Sequence, residues 1–372
     1  MIYTEYGKTG KKVSAVGFGG MRFDLSKSDE ENAEIVRYAS SKGINYFDTA
    51  PGYCDDRSEK IFGIAFKDMP NDFYVSTKGM PIQYDTAQKA KDAVKRSIKR
   101  LGVDKINFYH VWCLRKMSNY ELAMKPGGQY EGLLACKEEG LIDHIVFSSH
   151  QPGHEIKHIL DEEKFEGVLL GVNILNFPYR WDGVLNAYEK GYGVVAMNPL
   201  GGGTIPQHEK ELSFLSTDGE TPTEAALRFN IASPQITVTL NGFTTKEQID
   251  MACRIADEGN TFEPYDLEKI KSRLGRNMNT VCTGCGYCWD CPMEIPVPAY
   301  MQFYNEKQMF GKSEEELKKE LKRVCEWGFL AVRKGSAKDC IECGKCEEAC
   351  TQHLPIIDRL KEIAKWESCI ED

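Results

Sequence analysis

No run of apolar residues in this sequence approaches the ~20 that a helix needs to cross a bilayer. Its opening, MIYTEYGKTGKKVSAVGFGG, lacks the apolar stretch and small-residue cleavage site of a secretory signal. These absences set aside a membrane partner and predict a cytoplasmic protein. An excess of basic charge is missing too: 47 Lys and Arg stand against 56 Asp and Glu, a formal net charge of −9. That balance argues against nucleic acid as the main partner. Dense cysteine motifs are absent from the first 260 residues, yet eight of the fourteen cysteines crowd into 282–292 (CTGCGYCWDCP) and 340–350 (CIECGKCEEAC). In a cytosolic setting such runs read as metal ligands or redox groups, not as disulfides.

What is present is ordinary globular material, 41% hydrophobic and 28% charged, in a chain of 372 residues. Composition predicts a core that needs no staples, and length predicts one large domain with a smaller one. Short runs rich in Val, Ile, Phe and Tyr at 13–18, 44–48, 73–77, 105–112, 142–148, 167–173, 193–198 and 236–240 predict eight strands. Amphipathic segments lie between them. In 86–101, for example, Ala90, Ala93, Val94, Ile98 and Leu101 share a face at helical spacing. Thr221-Pro222 and Thr244-Thr245 open two further helices. Eight strand–helix units predict an α/β fold, a (β/α)8 TIM barrel, over residues 1–258, with a doubly wound open sheet as the alternative. Residues 259–281 read as a linker. Residues 282–372 read as a small α-helical unit, with a charged helix at 313–325 and a last helix near 355–367.

In such a barrel, chemistry sits where strands lead into helices. The second strand ends in FDTAPGY, with Asp48 at its tip and Tyr53 in the loop; the third ends in STKG, carrying Lys78. An ammonium beside a phenol lowers its pKa, a carboxylate orients the lysine, and the phenol then protonates a carbonyl oxygen as hydride reaches carbon. The plain alternative is structural: Asp48 caps a helix, Lys78 pairs with it, and Tyr53 packs. His150, His154 and His158 are spaced by four, but Pro152-Gly153 interrupts them and no further ligand completes a metal set. Cys54 is a lone loop cysteine.

YGKTGKKVSAVGFGGMRF, GINYFDTAPGY, YVSTKG, the serines after strand five and NPLGGG after strand seven together resemble the aldo-keto reductases over residues 1–256. The whole chain resembles the iron–sulfur branch of that family, which adds a ferredoxin-like tail. The resemblance implies NADPH or NADH as hydride donor, a small carbonyl or alcohol substrate, and an Asp–Tyr–Lys–His tetrad. Asp48, Tyr53 and Lys78 take three of those roles; Trp112 stands at the place of the histidine, with His110 two residues earlier on the same strand face. It further implies nucleotide contacts from Gly19, Gly20 and Met21, from Ser148 and Ser149 at the nicotinamide amide, and from Met197 at the ring. Asn198, Leu200, Gly201, Gly202 and Gly203 would lie at the pyrophosphate, and Gly242, Thr244, Thr245 and Gln248 at the adenosine end. Leu169, Gln248 and Ala252 depart from the family's Gln, Arg and Asn, and Lys246 is the sole cation close in sequence to offer a 2′-phosphate.

The second cysteine run, C-x2-C-x2-C-x3-C, lets three thiolates hold one iron–sulfur cube and sends the fourth to another. Two runs predict two 4Fe-4S clusters with crossed ligation: Cys282, Cys285, Cys288 and Cys350 on one, Cys340, Cys343, Cys346 and Cys291 on the other. Small residues within the runs, Gly284, Gly286 and Gly344, let the chain wrap closely. Zinc is the rival ligand. Cys325 and Cys369 read as spectators. Clusters carry single electrons and nicotinamides give two, so a flavin is a further candidate cofactor and a redox protein a candidate partner. Three functions follow: an oxidoreductase, an electron-transfer module on an altered barrel, or a tail merely stapled by its metals.

Overall fold

The computed structural model describes the chain except for residues 116, 152, 154, 155, 217, 218, 260–280, 283, 284, 327–334 and 368–372. The predicted linker and Cys369 therefore lie almost wholly outside the described residues, as does the side chain of Cys325.

The chain opens with an antiparallel hairpin, β1 (Tyr3–Glu5) on β2 (Lys12–Ser14). Eight parallel strands then close a barrel. They are β3 (Val16–Gly19), β4 (Tyr46–Asp48), β5 (Tyr74–Gly79), β6 (Ile106–Leu114), β7 (Ile142–Ser149), β8 (Gly167–Gly171), β9 (Gly193–Met197) and β10 (Val238–Asn241). Each pairs with its sequence neighbour, and β10 returns to β3. The barrel thus replaces the open-sheet alternative, and all eight predicted strands are present.

The first predicted strand is in fact two. Ala15 donates its N–H to Ile2 O at 2.9 Å and accepts from Thr239 N at 2.7 Å. The chain changes partner there, from hairpin to barrel. The hairpin delivers Tyr6, fully buried, into the barrel interior, where its ring lies 4.1 Å from that of Phe108. Gly167 and Gly193 begin β8 and β9, and a Cβ on either would lie 2.5 or 2.2 Å from the Tyr6 ring. Tyr6, Tyr46, Phe108, Val146, Leu169, Val195 and Val238 fill this layer. Strand alternation sends Phe47 outward, where it meets Phe62, Phe66 and Phe73 at 5.9–6.1 Å.

Helix capping follows the sequence signals. Thr221 and Thr245 each accept from the backbone three residues on, with Glu224 and Gln248 reaching back, so both open their helices as capping boxes. Thr86 caps the helix Ala87–Leu101, and Gly102 ends it at φ 65°.

The described chain divides into two compact units, Met1–Pro199 with Ser216–Pro264 and Leu200–Leu215 with Tyr265–Asp372. The segment after β9, which a cut at residue 258 assigns to the barrel, therefore groups with the tail. The tail is helical: Val297–Phe310, Glu314–Glu326, Lys345–Ala349 and Ile356–Glu367. The second and fourth match the predicted helices, whereas the first has no counterpart among them. The core of the tail gathers Ile295, Met301, Leu317, Leu321, Ile363 and Trp366, with Cys288 among them and Cys282, Cys291, Cys340, Cys346 and Cys350 packed against it.

Candidate active site and thiol clusters

Parallel register sets Asp48 opposite Ser76 and Lys78 opposite His110, so alternation turns all four into the barrel. Lys78 Nζ donates to Asp48 Oδ1 at 2.5 Å and to Thr49 O at 2.8 Å. Ser76 Oγ donates to Asp48 Oδ2 at 2.7 Å. Because that hydroxyl is spent as donor, its 2.9 Å contact with His110 Nε2 is one in which the imidazole donates. The side chains of Asp48 and Lys78 are 3% and 1% exposed. A buried ion pair is tolerable only when its remaining donors and acceptors are satisfied, and here the carboxylate has a partner on each oxygen. Sequence reasoning misses Ser76, although it sits two residues before Lys78 on the same strand face.

Tyr53 stands half-buried beside this pair, its ring centroid 5.2 Å from Lys78 Nζ. Trp112 meets it edge-on at 5.7 Å. The expected lowering of the Tyr53 pKa is not found. Burial, and then the Asp48 charge, push it well above the ordinary phenol value. The Lys78 ammonium spends its hydrogen bonds on Asp48 and Thr49. His110 is fully buried, and desolvation brings its pKa down to about 4 against the opposing pull of Asp48. It is a neutral strut beneath Asp48, one layer deeper than Trp112.

The loop carrying Tyr53 is held from outside the barrel. Gly52, Cys54, Asp55 and Asp56 all have left-handed backbone, a conformation that disfavours side-chain-bearing residues. Asp56 accepts from Gly52 N at 3.1 Å and takes a fork from Arg100, with both nitrogens at 2.8 Å. Arg100 Nε also pairs with buried Glu59 at 3.0 Å, and Glu59 accepts from Thr77, the neighbour of Lys78. Burial raises the Cys54 pKa, which disfavours a reactive thiolate.

Among the residues assigned to a nucleotide, Ser148 fits best. Its hydroxyl is buried on the inner face of β7 with no hydrogen-bond partner among the described residues. Ser149 differs, since it donates to Leu114 O at 2.7 Å. Met197 ends β9, and Asn198 follows with φ 62°, accepting from Asn173 at 2.9 Å. Gly19, Gly20 and Met21 follow along and after β3, and a Cβ on Gly20 would meet Phe62 and Ser58 at 2.4 Å. Gly242 packs against Arg22. Leu200, Gly201, Gly202 and Gly203 turn through left-handed glycines, and they belong to the second compact unit.

The adenosine end is less favourable. Gln248 Oε1 accepts from Thr244 N at 2.8 Å and Thr245 N at 3.3 Å, which commits it to capping its own helix. Lys246 lies over the Tyr38 ring at 5.0 Å. Leu169 and Ala252 are both buried. Lys27, remote in sequence, approaches Thr244 O at 3.5 Å and is the cation that local reading misses.

In the tail, Cys291, Cys340, Cys343 and Cys346 line one hollow together with Ile295, Val297 and Leu360. The other four converge separately, with Cys288 in electrostatic contact with Cys282, Cys285 and Cys350. The thiols thus gather as two sets of four. Leu354 N donates to Cys350 Sγ at 3.4 Å, Thr351 Oγ1 contacts Cys285 at 3.3 Å, and Asn305 holds Cys282 through two backbone bonds of 2.8 Å. Gly286 and Gly344 turn at φ 78° and 77°, while Gly284 lies outside the described residues. Among the described residues, no group of three or more His, Cys, Asp or Glu side chains is arranged to hold a single metal ion. Of the three spaced histidines, His150 is buried, His158 is exposed, and His154 lies outside the described residues.

The sequence pattern of the aldo/keto reductase family matches residues 15–274. The chain belongs to that family. A second pattern, the 4Fe-4S dicluster domain, matches residues 281–354, so the tail is an iron–sulfur domain. The chain is 25% identical over 274 residues to an L-galactose dehydrogenase of Arabidopsis thaliana, covering 66% of this chain and 84% of that protein. It is 25% identical over 275 residues to an aldo-keto reductase of Mycobacterium sp. strain MCS, covering 68% and 91%. The fold matches the holo form of an aldo-keto reductase from Bacillus halodurans with a TM-score of 0.61 at 22% identity, covering 73% of this chain and 96% of that one. This aldo-keto reductase is therefore an oxidoreductase with an iron–sulfur domain. Among the described residues, no helix is long and apolar enough to cross a membrane.

Proposed function

We propose that the barrel interconverts a small carbonyl compound and its alcohol, with Tyr53 as the proton donor. The observation that carries this reading is the Tyr53 ring, 5.2 Å from Lys78 Nζ, beside the satisfied Asp48–Lys78 pair. A reduced nicotinamide, when bound, supplies hydride to the carbonyl carbon. Charge then develops on the carbonyl oxygen, Tyr53 Oη gives it a proton, and the alcohol results; solvent restores the phenol proton. Lys78 and Asp48 fix the floor beneath the phenol, and His110 positions Asp48 through Ser76. Trp112, stacked edge-on against Tyr53, borders the substrate and offers one N–H donor without acid–base chemistry. Ser148 is the residue that would receive the nicotinamide amide. NADPH and NADH are both candidates, because Gln248 is engaged in capping its own helix, while Lys27 approaches Thr244 and Arg22 packs against Gly242.

In the tail, the two quartets would each hold one 4Fe-4S cluster, exchanging single electrons with a redox protein or with a barrel-bound cofactor. Turnover of a panel of aldehydes and ketones tests the barrel reading. Tyr53→Phe should lower it by roughly 10²–10⁴-fold; unchanged turnover removes Tyr53 from its role.

The capping role of Gln248 and the indole in place of an imidazole favour a second reading, an electron-transfer module whose barrel holds a flavin or docks a partner. Flavin copurifying in equal amount with the chain would support it. Tight NADPH binding with no flavin would exclude it.

A further inference from the structure

The two thiol quartets have different surroundings. Cys288 is buried, and its quartet receives an amide N–H on Cys350 and a hydroxyl on Cys285. In the other quartet Cys343 is exposed, and Ile341 beside it is 59% exposed. One charged side chain sharpens the contrast. Arg359, on the helix Ile356–Glu367, is only 4% exposed. Its guanidinium stacks on the Tyr304 ring at 4.7 Å, and the next residue, Asn305, clamps the Cys282 backbone. Cys282 and Cys350, one from each cysteine run, are among its electrostatic partners. Lys361, the cation in electrostatic contact with Cys340 of the other quartet, is half-exposed and paired with Glu342 at 3.0 Å.

Reducing a 4Fe-4S cluster adds one electron and one negative charge, with no bond made or broken. Burial alone opposes that added charge and lowers the potential. A buried cation favours it, because low-dielectric surroundings strengthen the attraction, whereas a solvated lysine is screened. We propose that Arg359 is a tuning residue that raises the reduction potential of the Cys282–Cys285–Cys288–Cys350 cluster alone. Its planar fork, fixed by Tyr304, suits this role, since guanidinium keeps its charge when buried and lysine does not. The proposal rests on the two-cluster reading above, and the two can fail separately.

The test is a redox titration of the full-length protein, purified without oxygen and poised with dithionite, followed by electron paramagnetic resonance. Wild type must first show about eight irons and two reducible clusters per chain; zinc, or half the iron, would sink the two-cluster reading before any variant is made. In Arg359→Met, one reduction step should move to lower potential while the other stays in place and the iron content holds. Arg359→Lys should leave the same step between wild type and Arg359→Met. The proposal is overturned if neither step moves, or if both move together. It is equally overturned if Arg359→Met loses one cluster while Arg359→Lys titrates as wild type, for then the residue serves assembly rather than potential.

Discussion

The barrel and the cysteine unit bury polar groups in opposite ways. At the barrel's strand ends, Asp48, Lys78, Ser76 and His110 answer one another through hydrogen bonds of 2.5–2.9 Å. In the tail, thiols gather on a shared core: Cys288 is buried within it, and Cys282, Cys291, Cys340, Cys346 and Cys350 pack against it. A satisfied polar network stands without a ligand, but a set of converging thiolates is stable only around metal. The comparison sets a barrel site whose charged groups are answered by its own side chains against a tail whose thiol quartets call for metal.

Iron removal should break the comparison most visibly. Chelation under reducing conditions is expected to cost the tail its fold, by the order of 10 kcal/mol seen for structural metals. Proteolysis should then cut within 282–367 while the barrel persists, and loss of both together would contradict the contrast. Next comes Lys78→Met, which leaves the Asp48 carboxylate buried beside one hydroxyl. Denaturant titration should show a loss of about 3–5 kcal/mol, larger than for any surface lysine.

His110 gives a pH signature. Its folded pKa of about 4 lies below the ordinary value of 6.5. The unfolded chain therefore binds a proton first as pH falls. Stability from the neutral imidazole is complete above 6.5 and is lost progressively down to about 4, by roughly 3 kcal/mol in all. In His110→Gln that part of the pH dependence should disappear from denaturant midpoints; an unaltered slope would place the histidine elsewhere in the energetics. The smallest effect belongs to Gln248→Ala. Loss of the reciprocal cap should cost about 1 kcal/mol or less and leave the affinity for NADPH unchanged. A marked fall in that affinity would restore Gln248 to the nucleotide site.

Much of this architecture is legible in the amino-acid sequence. Strand-end position and two-residue alternation place Asp48, Lys78 and His110, and cysteine spacing separates the two quartets. What escapes depends on distance or burial. Arg100 and Asp56 are 44 residues apart, so nothing local ties that fork to the Tyr53 loop. Tyr6 bears no local sign that it fills the barrel between Gly167 and Gly193. The direction of the Tyr53 pKa turns on the burial of its phenol and the Asp48 charge, which spacing does not reveal. Gln248 is a different case, because its role is written locally: Thr245 with Gln248 three residues on is a capping box, and a capping box competes with a phosphate site.

The most direct test of the account is isotopic. The protein is given NADPH or NADH carrying deuterium at the transferable position, together with a panel of aldehydes and ketones, and the alcohols are analysed by mass spectrometry. The account predicts deuterium on the carbinol carbon, with formation of that product falling sharply in Tyr53→Phe. Alcohol formed without deuterium, or at an equal rate in Tyr53→Phe, would contradict it.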